Sequence, residues 1–194
     1  MSFANIILRI RNLLFNPGRE WEVIADEHKT RKMVFVRFVV PLLCVASVAS
    51  VVGSLLFVSR MVFSFGYVVY KVMLLWCSLS SGLYLSSFLI TEVMAQYIGS
   101  KNHNKTFELA AYSSGVVFLV ITVVQLFPFF NELLVLAFYA GYLYWRGIPY
   151  LIKIQEHDQK QMAFGILSFV IVALTYSIVV YFFVNVLSTI FISS

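Results

Sequence analysis

The chain has 194 residues, 61% of them hydrophobic and only 12% charged, with a formal net charge of +5. Ordinary soluble domains carry about 25% charged residues, and a mean hydropathy of +0.89 excludes a soluble core. The composition is that of an all-α, polytopic membrane protein, and its basic residues point to anionic lipid rather than nucleic acid.

The first element, residues 3 to 15, places Phe3, Ile6, Ile7, Ile10, Leu13 and Leu14 at helical spacing, with Asn5, Arg9 and Asn12 opposite. It is too short and too charged to span. The pattern predicts an interfacial helix with Arg9 and Arg11 toward anionic head groups, or one packed on the protein's own loops. Asn16-Pro17-Gly18 breaks it, and a second short helix follows in which Trp21 and Ile24 share a face. Trp21 is of the type enriched at membrane interfaces. Residues 1 to 33 form this N-terminal segment, and residues 34 to 194 the transmembrane domain.

From Phe38 to Ser59 there are 22 uncharged residues. Ala46, Ser50 and Ser54, like Ala49 and Gly53, recur every fourth position, a spacing that lets helix backbones approach closely. Pro41 lies near the start, where proline costs least. A turn around Arg60 to Gly66 leads to Val72–Thr91, 20 residues without a charge. At about 1.5 Å per residue this run covers about 30 Å, the thickness of the hydrocarbon core. Its Ser78, Gly82 and Ser86 form a stripe suited to packing or, alternatively, to a solvated path. The polar turn SKNHNK closes a hairpin with a third span, Leu109 to Phe130. The link LFPFFNE, with Asn131 as an expected N-cap, leads to a fourth span, Leu133 to Ile152, with Ala137 and Gly141 as a small pair and Arg146 and Pro149 near its end. The last run, Gln161 to Ser194, is uncharged over 34 residues. It exceeds a bilayer, so it should tilt or leave the core around Asn185.

Five spans place twelve of the fourteen Lys and Arg on the side of the N-terminus and leave Arg60 and Lys71 on the other. By the positive-inside rule the N-terminus is cytoplasmic and the C-terminus outside.

Cys44 and Cys77 lie within apolar runs and read as reduced small hydrophobes. No catalytic motif or cofactor signature is present. His28, His103 and His157, with Asp26, Glu27, Glu156 and Asp158, fall on the cytoplasmic side but lack ligand spacing, and no metal site is expected. The best candidate for a functional face is the turn between the second and third spans. There Glu92 and Gln96 end one helix, while Glu108 and Tyr112 open the next, with Lys101, Lys105 and Arg146 as cations. Antiparallel neighbours joined by a short turn should bring these residues to one depth. The result would be an ion-pair cluster fixing the hairpin, or a pocket for an ion or a lipid head group.

Several stretches together carry a resemblance. They are Phe15-Asn16-Pro17 with Trp21 and Ile24; Lys105-Thr106-Phe107-Glu108 leading into Ala110-Ala111-Tyr112-Ser113; Tyr139, Gly141 and Tyr142; and Lys160 with Ala163. In this order and spacing the chain resembles the Yip family of multi-pass membrane proteins, in its short bacterial form. The resemblance implies five spans, a cytosolic N-terminus and the bacterial cytoplasmic membrane. Where family members often carry a proline after the tyrosine, this chain has Gly115 and two valines. Eukaryotic members have a longer N-terminal region tied to GTPase binding, which the roughly thirty-three residues here do not match. The expected role is a non-enzymatic scaffold that binds lipid or protein partners, further copies of itself included. The alternative is a transporter or channel.

Overall fold

The computed structural model describes residues 3–57, 65–153 and 159–192. Two short helices, α1 (Phe3–Phe15) and α2 (Pro17–Asp26), precede α3 (Arg31–Val34), which Thr30 caps by accepting the Met33 N–H at 3.4 Å. A π-turn at Phe35–Val39 then runs into α4 (Val40–Phe57). Pro41 accounts for the π-turn. Its ring crowds the carbonyl four residues back and it has no N–H to offer that group, so the preceding turn widens. Next come α5 (Phe65–Ile98), α6 (His103–Ser113), α7 (Gly115–Leu126), α8 (Tyr139–Leu151) and α9 (Gln159–Ile192). Gly99, at φ +75°, ends α5 in the left-handed conformation that glycine adopts without strain. Asn102 starts α6 by accepting the Asn104 and Lys105 amides, each at 3.2 Å.

All regular structure among the described residues is helical. Among the described residues, four helices are long and apolar enough to cross a membrane: Arg31–Phe57, Phe65–Ile98, His103–Leu126 and Gln159–Thr189. The 34-residue α5 and α9 are each about 50 Å long, so both outreach a 30 Å core.

The region predicted as a fourth span is not one α-helix. Pro128–Phe138 is a 3-10 segment with no buried residue and a non-helical Phe130 (φ −95°, ψ 33°), and only Tyr139–Leu151 is α-helical. Asn131 does not cap a helix as expected. Its amide donates at 2.7 Å to the Pro128 carbonyl, occupying a group that an α-helical turn would use. With only Leu133 and Ala137 half-buried, packing does little to draw this stretch into the α form.

The small-residue stripes meet helices. Ala46, Ala49, Ser50, Gly53 and Ser54 are buried, and a Cβ on Gly53 would overlap the Gln125 carbonyl of α7 and lie 2.9 Å from that of Leu126. Ser50 donates to Gln125 Oε1 at 3.4 Å, and Trp76 Nε1 of α5 to Ser47 Oγ at 2.8 Å. Ser78, Gly82 and Ser86 of α5 are buried as well, and Gly82 faces the Tyr176 ring of α9. Chain direction alternates. Phe57 meets Phe127 and Phe129 at one end, while at the other Gly147 of α8 lies against Leu109 and Trp21. Helices α5 and α9 run antiparallel, since Tyr97 meets Phe164 and Gly82 meets Tyr176.

A polar cluster beneath the N-terminal helices

Helices α1 and α2 fold down onto the bundle end where α6 begins and α8 finishes. Ile6, Ile10, Leu13, Trp21 and Ile24 are all buried. Trp21 fits because Gly147 has no side chain; a Cβ there would come within 2.8 Å of the indole and 2.5 Å of Leu109. Tyr139 adds a hydrogen bond to the Leu14 carbonyl at 2.9 Å. Of the three residues assigned to the lipid surface, only Arg11 is exposed. Trp21 is fully enclosed and Arg9 retains 7% of its surface. Acidic partners in the next segment explain the burial of Arg9. Its guanidinium donates to both Glu27 oxygens at 2.6 and 2.7 Å, and its Nε lies 3.4 Å from Glu20. This is the bidentate geometry in which arginine pairs best.

The predicted polar cluster divides in two. Its outer part is Glu92 with Lys101, an exposed pair at 2.5 Å, of a kind worth ~0–1 kcal/mol; Gln96 is exposed nearby in sequence. Its inner part is Glu108, fully buried, whose Oε1 accepts the Lys29 backbone N–H at 3.1 Å and whose Oε2 lies 3.3 Å from Lys105 Nζ. Lys105 also donates to the Ala25 carbonyl at 2.8 Å. Tyr112 lies beneath, with the Arg9 guanidinium 5.2 Å and Lys29 Nζ 5.9 Å from its ring centroid. Arg146 sits beside α2, near Gly18. Thr91 and Thr106, buried and 2.6 Å apart, join the two helices of the hairpin between the two parts.

Sequence reasoning placed Lys105, Glu108 and Tyr112 together but missed Arg9, Glu20, Glu27 and Lys29. The one available signal was local: four acids in residues 20–27 following Arg9 on a short helix pair. Between α1 and α2 lies a polar cleft of ≈ 510 Å³ lined by Asn5, Arg9, Asn12, Arg19, Glu20 and Glu27, among others. The stretch Glu156, His157 and Asp158 lies outside the described residues. Among those described, no three His, Cys, Asp or Glu side chains gather as a metal site would need, and His103 instead stacks on Phe88.

Burial would raise the Glu27 carboxyl, but hydrogen bonds from Arg9 and Lys29 outweigh it and hold its pKa below the ordinary 4.5. A carboxylate lowered in the folded state stabilises above its unfolded pKa, and that contribution is lost as pH falls through the folded value. Acidification below about pH 4.5 should therefore loosen α1–α2, whereas Glu27→Gln should remove that pH dependence. Hydrogen exchange of the α1 and α2 amides at each pH, corrected for the intrinsic rate, measures it.

A family model described as the Yip1 domain matches residues 11–192. The chain belongs to that family. No curated protein and no solved structure matches it. The Yip1 match begins inside α1 and ends in the last turn of α9, so it takes in both the latch of Arg9's partners on α2 and the four long apolar helices. The Yip1 domain is thus an integral, multi-pass membrane protein.

Proposed function

We propose that this Yip1 domain is a non-enzymatic membrane scaffold whose N-terminal helices form a rigid cytoplasmic platform for anionic lipid surfaces and protein partners, in the cytoplasmic membrane of a bacterium. The latch of Arg9, Glu27, Lys29, Lys105 and Glu108 carries this reading, because it leaves a fixed layer whose outward residues include exposed Arg11, Arg19 and Lys32. An ordered basic surface loses little conformational freedom on docking and is drawn to anionic head groups. Reconstituted in zwitterionic nanodiscs, the full chain should capture vesicles containing phosphatidylglycerol, less so as salt rises. The Arg11→Glu, Arg19→Glu, Lys32→Glu triple variant should lose capture. Equal capture of zwitterionic vesicles would remove the lipid half of the proposal.

Five crossings, with the N-terminus inside, agree with the alternating chain direction and with the twelve-to-two distribution of Lys and Arg. The 3-10 segment and α8 then form the fourth crossing. Single cysteines test this: residue 103 should react only from the cytoplasm and residue 131 only from outside.

Transport would need polar groups free along a path. Ser78 and Ser81 instead donate to carbonyls one turn back on their own helix, as does Asn185 to Tyr181, and Gln125 accepts from Ser50. The small-residue stripe supports packing.

A further inference from the structure

Within the bundle, the helices α5, α6–α7, α8 and α9 enclose a cavity of ≈ 510 Å³. Small side chains create it: Ala110, Ala137 and Ala140 line it where larger residues would fill the space. Its wall is uncharged throughout and almost wholly apolar. Six hydroxyl side chains interrupt that wall; Ser86 and Ser114 donate to carbonyls three residues back, and three others do not. Ser113 Oγ, Tyr144 OH and Ser168 Oγ belong to lining residues that are 3%, 9% and 0% exposed, and none has a hydrogen-bond partner. Tyr144 and Ser168 are near enough to influence each other, yet they form no bond of good geometry. A hydroxyl in apolar surroundings without a partner is destabilising, and elsewhere in the bundle serines and threonines avoid this by bonding to their own helix, as Ser54, Thr91 and Thr122 do. Three such omissions around one cavity mark a place built for a hydrogen-bonding occupant.

The cavity also has an edge toward lipid. Leu134, Phe138, Phe169 and Val180 line it and are nonetheless 46%, 70%, 48% and 40% exposed. The opening therefore lies between the 3-10 segment, which has no fully buried residue, and α9.

We propose that this cavity binds one chain of a neutral, hydroxyl- or ester-headed lipid of the monoacylglycerol class, entering sideways from the bilayer. Absence of charge on the wall disfavours a carboxylate or phosphate, which would be left uncompensated in apolar surroundings. Three hydroxyls that both donate and accept suit a glycerol or ester group. In size, binding cavities run ~300–1,000 Å³. A methylene occupies roughly the ~30 Å³ of a liquid water molecule, so this one holds about seventeen such groups, enough for the ester head and part of one acyl chain, whose remainder lies in the opening, and not for two chains. The site is separate from the proposed cytoplasmic platform and stands whether or not that platform binds lipid.

The test uses the full chain in phosphatidylcholine nanodiscs with a diazirine-bearing 1-oleoylglycerol, mapping labelled peptides by mass spectrometry. Label is expected on the stretch containing Tyr144 and on that containing Ser168. Unlabelled 1-oleoylglycerol should compete at a mole fraction at least tenfold lower than oleate. Tyr144→Phe with Ser168→Ala, which keeps the volume, should weaken that competition about tenfold. Ala137→Phe should fill the cavity and abolish labelling, with a melting curve to show that the variant folds. Label spread along the outward face of α9 at Ile178 and Tyr181 would overturn the proposal as mere contact with bulk lipid. So would equal competition by oleate, or a double variant labelled and competed like the wild type. Cross-links between two copies through Phe138 and Phe169 would assign the cavity to a second protomer instead. Should Ala137→Phe fail to fold, the wild-type competition alone decides.

Discussion

Trp21→Ala should detach the N-terminal helices while leaving the membrane bundle folded. The indole is fully buried between Gly147 and Leu109. Truncating a fully buried tryptophan costs ~3–5 kcal/mol. At about 1.4 kcal/mol per factor of ten, the open form should become about a hundredfold or more commoner, and local opening of this kind governs cleavage when reclosing is fast. Limited trypsin digestion at Arg11 and Arg19 should accelerate accordingly, while the melting of α4 to α9 changes little. Val23→Ala on the same helix, at a position 43% exposed, should leave the cleavage rate alone. Equal rates for wild type and Trp21→Ala would mean that the layer is held by something other than this contact.

Gly53→Val should produce the opposite pattern, a bundle that melts early. The α4–α7 seam has no room for a Cβ at this point, because the obstructing atoms are the backbone carbonyls of Gln125 and Leu126, which cannot swing aside as a side chain would. Overpacking typically costs ~1–3 kcal/mol, and separating two backbones also gives up the close contacts that hold helices together in lipid, where hydrophobic burial contributes nothing. Thermal melting in nanodiscs should fall by several degrees for Gly53→Ala and further for Gly53→Val. Gly141→Ala is the control, since its Cβ would meet only the Phe169 ring at 3.4 Å. A Gly53→Val variant melting with the wild type would disprove the close seam.

These two sites also show what was legible in the chain. Gly53 stood in a four-residue repeat of small side chains, and the repeat gave its role directly, because bilayer packing has few other uses for such a pattern. Trp21 did not. Periodicity correctly put Ile6, Ile10 and Leu13 on one face, but a helical face does not state whether lipid or protein covers it. Arg9 lies within one turn of Ile6 and Leu13, at the edge of that face, and Glu20 and Glu27 from the following segment reach around to enclose it; that contact depends on how the chain turns at Asn16-Pro17. Glu92 and Glu108 were close in sequence and on adjoining helices, but one points to solvent with Lys101 and the other inward, a distinction set by helix rotation. The 3-10 stretch escaped notice for a related reason. An uncharged run shows that a segment tolerates lipid, and says nothing of which helix it adopts.

The long sequence separation within the latch bears on how the protein is made. Lys29 waits for Glu108 and Tyr112, which lie 79 and 83 positions later. At ~5–20 residues per second of synthesis, the first helices emerge roughly 4–16 s before their partners exist. They are completed only after a hairpin of two helices has been inserted and has returned Glu108 to the same side of the membrane. If only one of the two helices crossed, Glu27 and Glu108 would be left on opposite faces and the apolar side of α1 uncovered. Closure of the latch therefore depends on both helices of the hairpin having crossed.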